Sequence, residues 1–279
     1  MSDVTIVRTV PLYPSAVFVQ WDVNSDESGP FFVDVDRAGG PAGPWESVAV
    51  QLQDAWHILD NKFNLPPVTS AQGKEGLNLF SLSRTVYYRV TITPPSGTAN
   101  AFASPPTPIE PGLDVRTRLL KRKILRDEAT ALRVFNGVPV AVLKRRRWGE
   151  RCPSCYDATI NEATLEHCPA CFGTSFRGGY WAPVPVRMRK EAAAVQSQMT
   201  AHGDADVKLN DFLVLDYPRV EYKDVIVDLA SNDRYQVLRV SPTTLRGVVV
   251  HQKLATSLLA RDAVEYAVLV DPVASPPLY

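Results

Sequence analysis

All four cysteines of the 279-residue chain fall within one 20-residue window: Cys152, Cys155, Cys168 and Cys171. The pattern is CxxC, twelve residues, CxxC. Two thiolates three apart on a tight turn point at a single ion, and a second such turn completes a tetrahedral set of four sulfurs, a donor set that suits Zn2+. Pro153 and Pro169 each follow the first Cys of a pair, and Gly173 follows the second pair. Disulfides are disfavoured, because Met1, Ser2 and Asp3 do not open a basic-then-apolar export signal. A redox-active CxxC would need a thioredoxin-like βαβ context, which the surrounding pattern lacks.

Four thiolate ligands leave no open position for water, so the expected ion is structural and numbers one per chain. A segment of this size has almost no core of its own, and metal binding supplies its folding energy. The expectation is a zinc ribbon over residues 148–180. Zinc ribbons serve as stiffeners and as nucleic-acid grips, and the spacing does not choose between these. His167, beside Cys168, reads as a bystander.

Net charge is zero, from 30 basic and 30 acidic side chains. It is not an even mixture. Residues 1–112 carry 6 Lys/Arg against 11 Asp/Glu, residues 113–151 carry 12 against 4, and residues 152–279 carry 12 against 15. A basic centre therefore lies between acidic flanks, which bears on partner choice and not on fold. With 45% hydrophobic and 22% charged residues the chain is globular in composition. No apolar run approaches the ~20 residues a spanning helix needs, so no membrane partner is expected. The 23 prolines favour strand edges, turns and linkers. The densest run, Ser104 to Gly112, reads as a linker over 104–112.

Before that run, period-two alternation marks strands. Val17, Val19, Trp21 and Val23 alternate with Phe18, Gln20 and Asp22, and Tyr88, Val90 and Ile92 alternate with Arg89, Thr91 and Thr93. Val33 and Val35 alternate with Asp34 and Asp36, and Arg37–Trp45 is rich in Gly and Pro and reads as a turn. About seven such strands in 100 residues fit a sandwich of two antiparallel sheets. Trp21 on the second strand, and Leu82 six residues before Tyr88, give residues 1–103 a pattern that resembles a fibronectin type III domain. That resemblance implies an adhesive or spacer module. Ala55, Trp56, Ile58, Leu59 and Phe63 read as a short helical or irregular insertion between Gln53 and Gly76.

Residues 113–147 read as a basic helix followed by a strand. Leu120, Ile124, Leu132 and Phe135 form an apolar stripe at helical spacing, with Gly137 as the stop, and Arg116, Arg118, Lys121, Arg122, Lys123 and Arg126 occupy the other face. After Val138–Leu143 come Lys144, Arg145, Arg146 and Arg147, a candidate contact for nucleic acid or an acidic partner. The alternative is a solvated basic face paired with acidic flanks.

From residue 181 to 279 five strand candidates return: Pro183–Arg189, Asp211–Asp216, Asp224–Leu229, Arg234–Val240 and Arg246–Leu254. Ser231, Asn232 and Asp233 mark a tight turn between two of them, and Lys190–Gln198 reads as a short helix or loop. Asp204 and Asp206 read as turn residues, because the further oxygen ligands of a calcium loop are missing. The hairpin order resembles the small β-barrel connector proteins of tailed bacteriophages. Phosphate loops, HExxH, GxSxG and nucleophile–base pairs are missing from the sequence.

The expected fold class is thus mainly β and multidomain: a fibronectin type III-like β-sandwich, a central helix with a four-cysteine zinc ribbon, and a C-terminal small β-barrel. The resemblances imply a non-catalytic virion protein made in the host cytoplasm, in the neck, head-to-tail connector, collar or baseplate. They also imply a ring of its own copies in contact with portal, head-completion, tail or baseplate proteins. The rival expectation is a zinc-ribbon protein that binds nucleic acid through Arg145–Arg147.

Overall fold

The structure is a computed structural model and describes residues 3–12, 16–61, 86–97, 101–109, 113–165, 167–200 and 203–270. The chain is mainly β and forms two compact units. Met1–Arg118 with Arg147–Arg151 is one, and Leu119–Arg146 with Cys152–Tyr279 is the other.

The first unit holds β1 (Asp3–Leu12), β2 (Ala16–Asn24), β3 (Phe32–Ala38), β4 (Trp45–Gln53), β5 (His57–Asp60), β6 (Tyr87–Thr93), β7 (Phe102–Ala103) and β8 (Thr107–Pro108). They make two antiparallel sheets, β1-β2-β5 and β4-β3-β6-β7, with β8 also on β6. Apolar residues on alternate positions of β3 and β6, Val33, Val35, Tyr88, Val90 and Ile92, are buried as the alternation predicts. On β2 the alternation fails: Val17, Phe18, Val19, Gln20 and Trp21 are all buried. Trp21 Nε1 donates to Ala55 O at 2.9 Å. Asp60 is buried at the end of β5, where it accepts from Tyr88 Oη at 2.8 Å and pairs with Arg37 at 2.9 Å, which ties the two sheets.

Two expectations change in this unit. Ile58 and Leu59 belong to no helical insertion: they lie on β5, where Leu59 pairs with Phe18 and Ile58 with Val19. β5 adds a third strand along the edge of β2, and four residues are too short for periodicity to identify. Leu82 and Phe63 lie outside the described residues. The run from Ser104 is also no free linker, since Ser104 and Ile109 are buried and Pro108 pairs with Tyr87. Proline is compatible with such an edge, where one side of the strand needs no donor.

In the second unit α1 (Val115–Ala131), which begins in the first, continues into a π-helical turn, Leu132–Asn136. The turn carries the Leu132 carbonyl so close to Gly137 that a Cβ there would lie 2.1 Å from it. Six antiparallel strands then close a barrel in the order β12-β13-β16-β15-β14-β9. They are β9 (Gly137–Leu143), β12 (Val184–Thr200), β13 (Gly203–Leu215), β14 (Val225–Asp228), β15 (Arg234–Leu245) and β16 (Val248–Leu258). Between β9 and β12 come β10 (Tyr156–Asp157) and β11 (Glu162–Ala163), a small hairpin.

The barrel is thus larger than the expected 181–279. The strand expected in 113–147 is one of its staves, closing the cylinder by pairing with both β12 and β14. The segment that carries the four cysteines is an insertion within a barrel hairpin, and Trp148–Arg151 belongs to the first unit, where the Trp148 ring meets Phe31 edge-on. Lys190–Gln198 is strand, because the ladder with β13 overrides the helix preference of its alanines. Asp204 and Asp206 likewise lie on a strand, β13. The Ser231–Asp233 turn is present, with Asn232 at φ 54°.

The helix shows the largest difference. Of the expected apolar stripe only Leu132 is buried; Leu120 is on the surface and Phe135 is 83% exposed. Thr117, Lys121 and Leu125 face inward instead. Lys121 lies 3.1 Å from Asp216, whose side chain has no exposure at all. A buried carboxylate needs a cation, and that requirement sets the helix rotation against its apolar stripe.

Candidate metal centre

The four cysteines converge as their spacing requires. All are buried, none forms a disulfide, and their Sγ atoms lie within 4.8 Å of one another. Cys152 and Cys168 sulfurs are 3.9 Å apart, and those of Cys155 and Cys171 are 3.2 Å apart. A disulfide bond is about 2.05 Å long, whereas thiolates around a tetrahedral ion at about 2.3 Å sit roughly 3.8 Å from each other. The donor set and its spacing fit a metal ion.

Each knuckle is held by its own backbone. Phe172 N donates to Cys168 O at 2.7 Å and Thr174 N to Cys171 O at 2.9 Å, while Thr164 N donates to Cys155 O at 2.7 Å. Cys152 N donates to Ser175 O at 3.0 Å, joining the first knuckle to the second. Phe172, Gly173 and Ser175 all have positive φ, so the chain after Cys171 curls tightly. The backbone at Ala170 and Cys171 hydrogen-bonds to Cys168 and pulls its thiol down to about 7. Burial pushes the thiols of Cys155 and Cys171 up, which a cation among them would reverse. His167 is exposed, in keeping with a bystander.

Of the basic tetrad, three members work within the second unit. Lys144 is buried and reaches Glu221 at 2.5 Å and Asp224 at 3.3 Å. Arg145 donates from its backbone to Asp224 at 2.9 Å and from its guanidinium to Gly173 O at 2.8 Å, so it links the barrel to the second knuckle. Arg146 stacks on Trp181, 4.1 Å from the ring centroid. The β9–β12 ladder extends past the barrel through these residues: Arg146 N donates to Gly179 O, Arg145 bridges Tyr180, and Trp181 N donates to Lys144 O. Arg147 is exposed.

Neither the family models nor the curated proteins compared with the sequence give a match.

The sequence singled out the ligands and the cations but not what joins them. Asp224, Glu221 and Gly179 complete the joint. Gly179 lies at φ 65°, and a Cβ on it would sit 2.7 Å from Cys171 O and 2.4 Å from the Phe172 ring. The only advance signal was a Gly-Gly pair after the second CxxC. No helix among the described residues is long and apolar enough to cross a membrane.

Proposed function

We propose that the chain is a non-catalytic structural protein of a tailed-phage particle, placed at the neck, head-to-tail connector, collar or baseplate. It acts together with further copies of itself and with neighbouring virion proteins. The observation that carries this reading is the use of Lys144, Arg145 and Arg146 as an internal clamp between barrel and metal knuckle. Cations engaged in this way stiffen a joint and are withdrawn from phosphate binding. The ion is Zn2+, since four thiolates favour it and close its shell. The ion supplies rigidity to an insertion that has little core.

The sheet order of the first unit, β1-β2-β5 against β4-β3-β6-β7, supports the fibronectin type III-like reading, as do buried Trp21 and Tyr88. A small closed barrel with hairpins supports the connector reading. Virion localisation follows from the same proposal. The test is composition: mass spectrometry of purified particles finds the chain at fixed stoichiometry, and particles that lack it sink the proposal.

The nucleic-acid reading retains one supporting observation, the exposed cations Arg116, Lys123, Arg126 and Arg133 on and just after the helix. Titration with duplex and single-stranded DNA over a salt series separates the two. Binding that falls steeply with salt and is lost in Arg116→Ala/Lys123→Ala/Arg126→Ala/Arg133→Ala favours the nucleic-acid reading.

A further inference from the structure

Strands β12 and β13 outrun the barrel to which they belong. β12 pairs with β9 only over Val184–Arg189, and β13 pairs with β16 only over Leu209–Leu215. Beyond those limits Ala194–Thr200 and Gly203–Leu209 pair with each other, after a register shift between Glu191 and Ala194. The result is a two-stranded arm. The registers also give its direction: Arg189 pairs with Gly137 at the start of β9, whereas the metal insertion leaves from the end of β9. The arm therefore projects from the barrel end opposite the metal centre.

A hairpin of two strands is marginal in water, and a third strand is what makes such a unit stable. Among the described residues, both outer edges of this arm have no ladder partner. Edges of this kind recruit further strands unless charge or proline blunts them. The two edges differ in this respect. The β12 edge, Ala192–Thr200, runs for nine residues with no charge and no proline. The β13 edge carries Asp204, Asp206 and Lys208. The overhang of β15 in the other long hairpin contains Pro242, which blunts it.

We propose that the β12 edge of the arm is a self-association surface whose partner is the same edge of a second copy. Antiparallel pairing of Ala192–Thr200 with itself brings no charge opposite a like charge. The same operation on β13 about Asp206 would set that carboxylate against itself, an unfavourable cross-strand pair. The product is a four-stranded sheet, β13-β12-β12-β13, with two-fold symmetry and an isologous interface. The inference goes beyond the particle reading and does not depend on it.

The test uses two charge variants of the full-length zinc-loaded chain, Val195→Lys/Ser197→Lys and Val195→Glu/Ser197→Glu, with mass measured by light scattering at on the order of 10 µM. The unaltered chain is expected to be at least a dimer. Each variant alone repels its own copy and loses mass by about two-fold, while circular dichroism and zinc content stay unchanged. An equimolar mixture of the two recovers the larger mass. A monomeric unaltered chain, a lysine variant that keeps its mass, or two folded variants that fail to associate when mixed would each overturn the proposal. None of these outcomes touches the particle-composition test.

Discussion

Gly179 is placed where no other residue fits. Its φ of 65° is strained for an L side chain, and a Cβ would press 2.7 Å from the carbonyl of Cys171, one of the four clustered cysteines. Gly179→Ala is expected to cost about 1–3 kcal/mol and to speed zinc transfer to a chromogenic chelator, with the overall circular dichroism kept. Lys144 raises a different question, that of charge. Asp224 is completely buried, and desolvation raises its pKa while Lys144 opposes that rise. A carboxyl whose folded pKa exceeds its unfolded value stabilises the fold below the unfolded value, near 4, and that contribution is lost as pH rises through the folded value. Lys144→Met removes the opposing cation, so its deficit against the unaltered protein grows with pH. The deficit is expected to reach about 3–5 kcal/mol at neutral pH. Urea midpoints of both proteins from pH 4 to 8 measure it, and comparison at each pH cancels the acid loss of the metal itself.

At the scale of elements, the arginines after β9 matter because they turn a barrel hairpin into the stem of the metal insertion. Arg145 holds Gly173 O and Arg146 covers Trp181. In Arg145→Ala/Arg146→Ala the knuckles keep their own backbone hydrogen bonds, so one zinc per chain is expected to remain. The stem loosens, however, and limited proteolysis between residues 144 and 183 is expected to accelerate relative to the unaltered chain. Equal cleavage rates would show that the clamp contributes nothing. The helix illustrates why such joints are hard to foresee. Its sequence offers Leu120 and Phe135 as core residues and Lys121 as a surface cation, yet Lys121 is inside and Phe135 outside. Periodicity describes the helix alone, whereas Asp216, 95 positions along the chain from Lys121, decides which face turns inward.

Over the whole molecule, the four-cysteine cluster lies in one compact unit and the two sheets β1-β2-β5 and β4-β3-β6-β7 in the other. Calorimetry is expected to resolve two transitions, of which a zinc chelator lowers only the one belonging to the barrel and its insertion. A single transition shifted as a whole would contradict that division. His57 distinguishes the other unit: burial pushes its pKa down to about 4, between the stacked ring of Phe18 and the tilted ring of Trp56. The two-sheet transition should therefore weaken as pH falls from 6.5 towards 4, as protonation then favours the unfolded chain. Much of this organisation was legible in the residue order. The CxxC pairs specify their own convergence, because two turns with paired thiols have one low-energy way to share an ion. The alternating strands of β3 and β6 specify their buried faces through the pleat alone. What the order of residues left open was every relation set by distant partners: the place of β9 in the barrel, the two-sided burial of β2, the rotation of the helix, and the use of Lys144 and Arg145 as a clamp. Local sequence carries period and turn chemistry, but a barrel closes, and a buried charge finds its counterion, only when segments far apart in the chain are brought together.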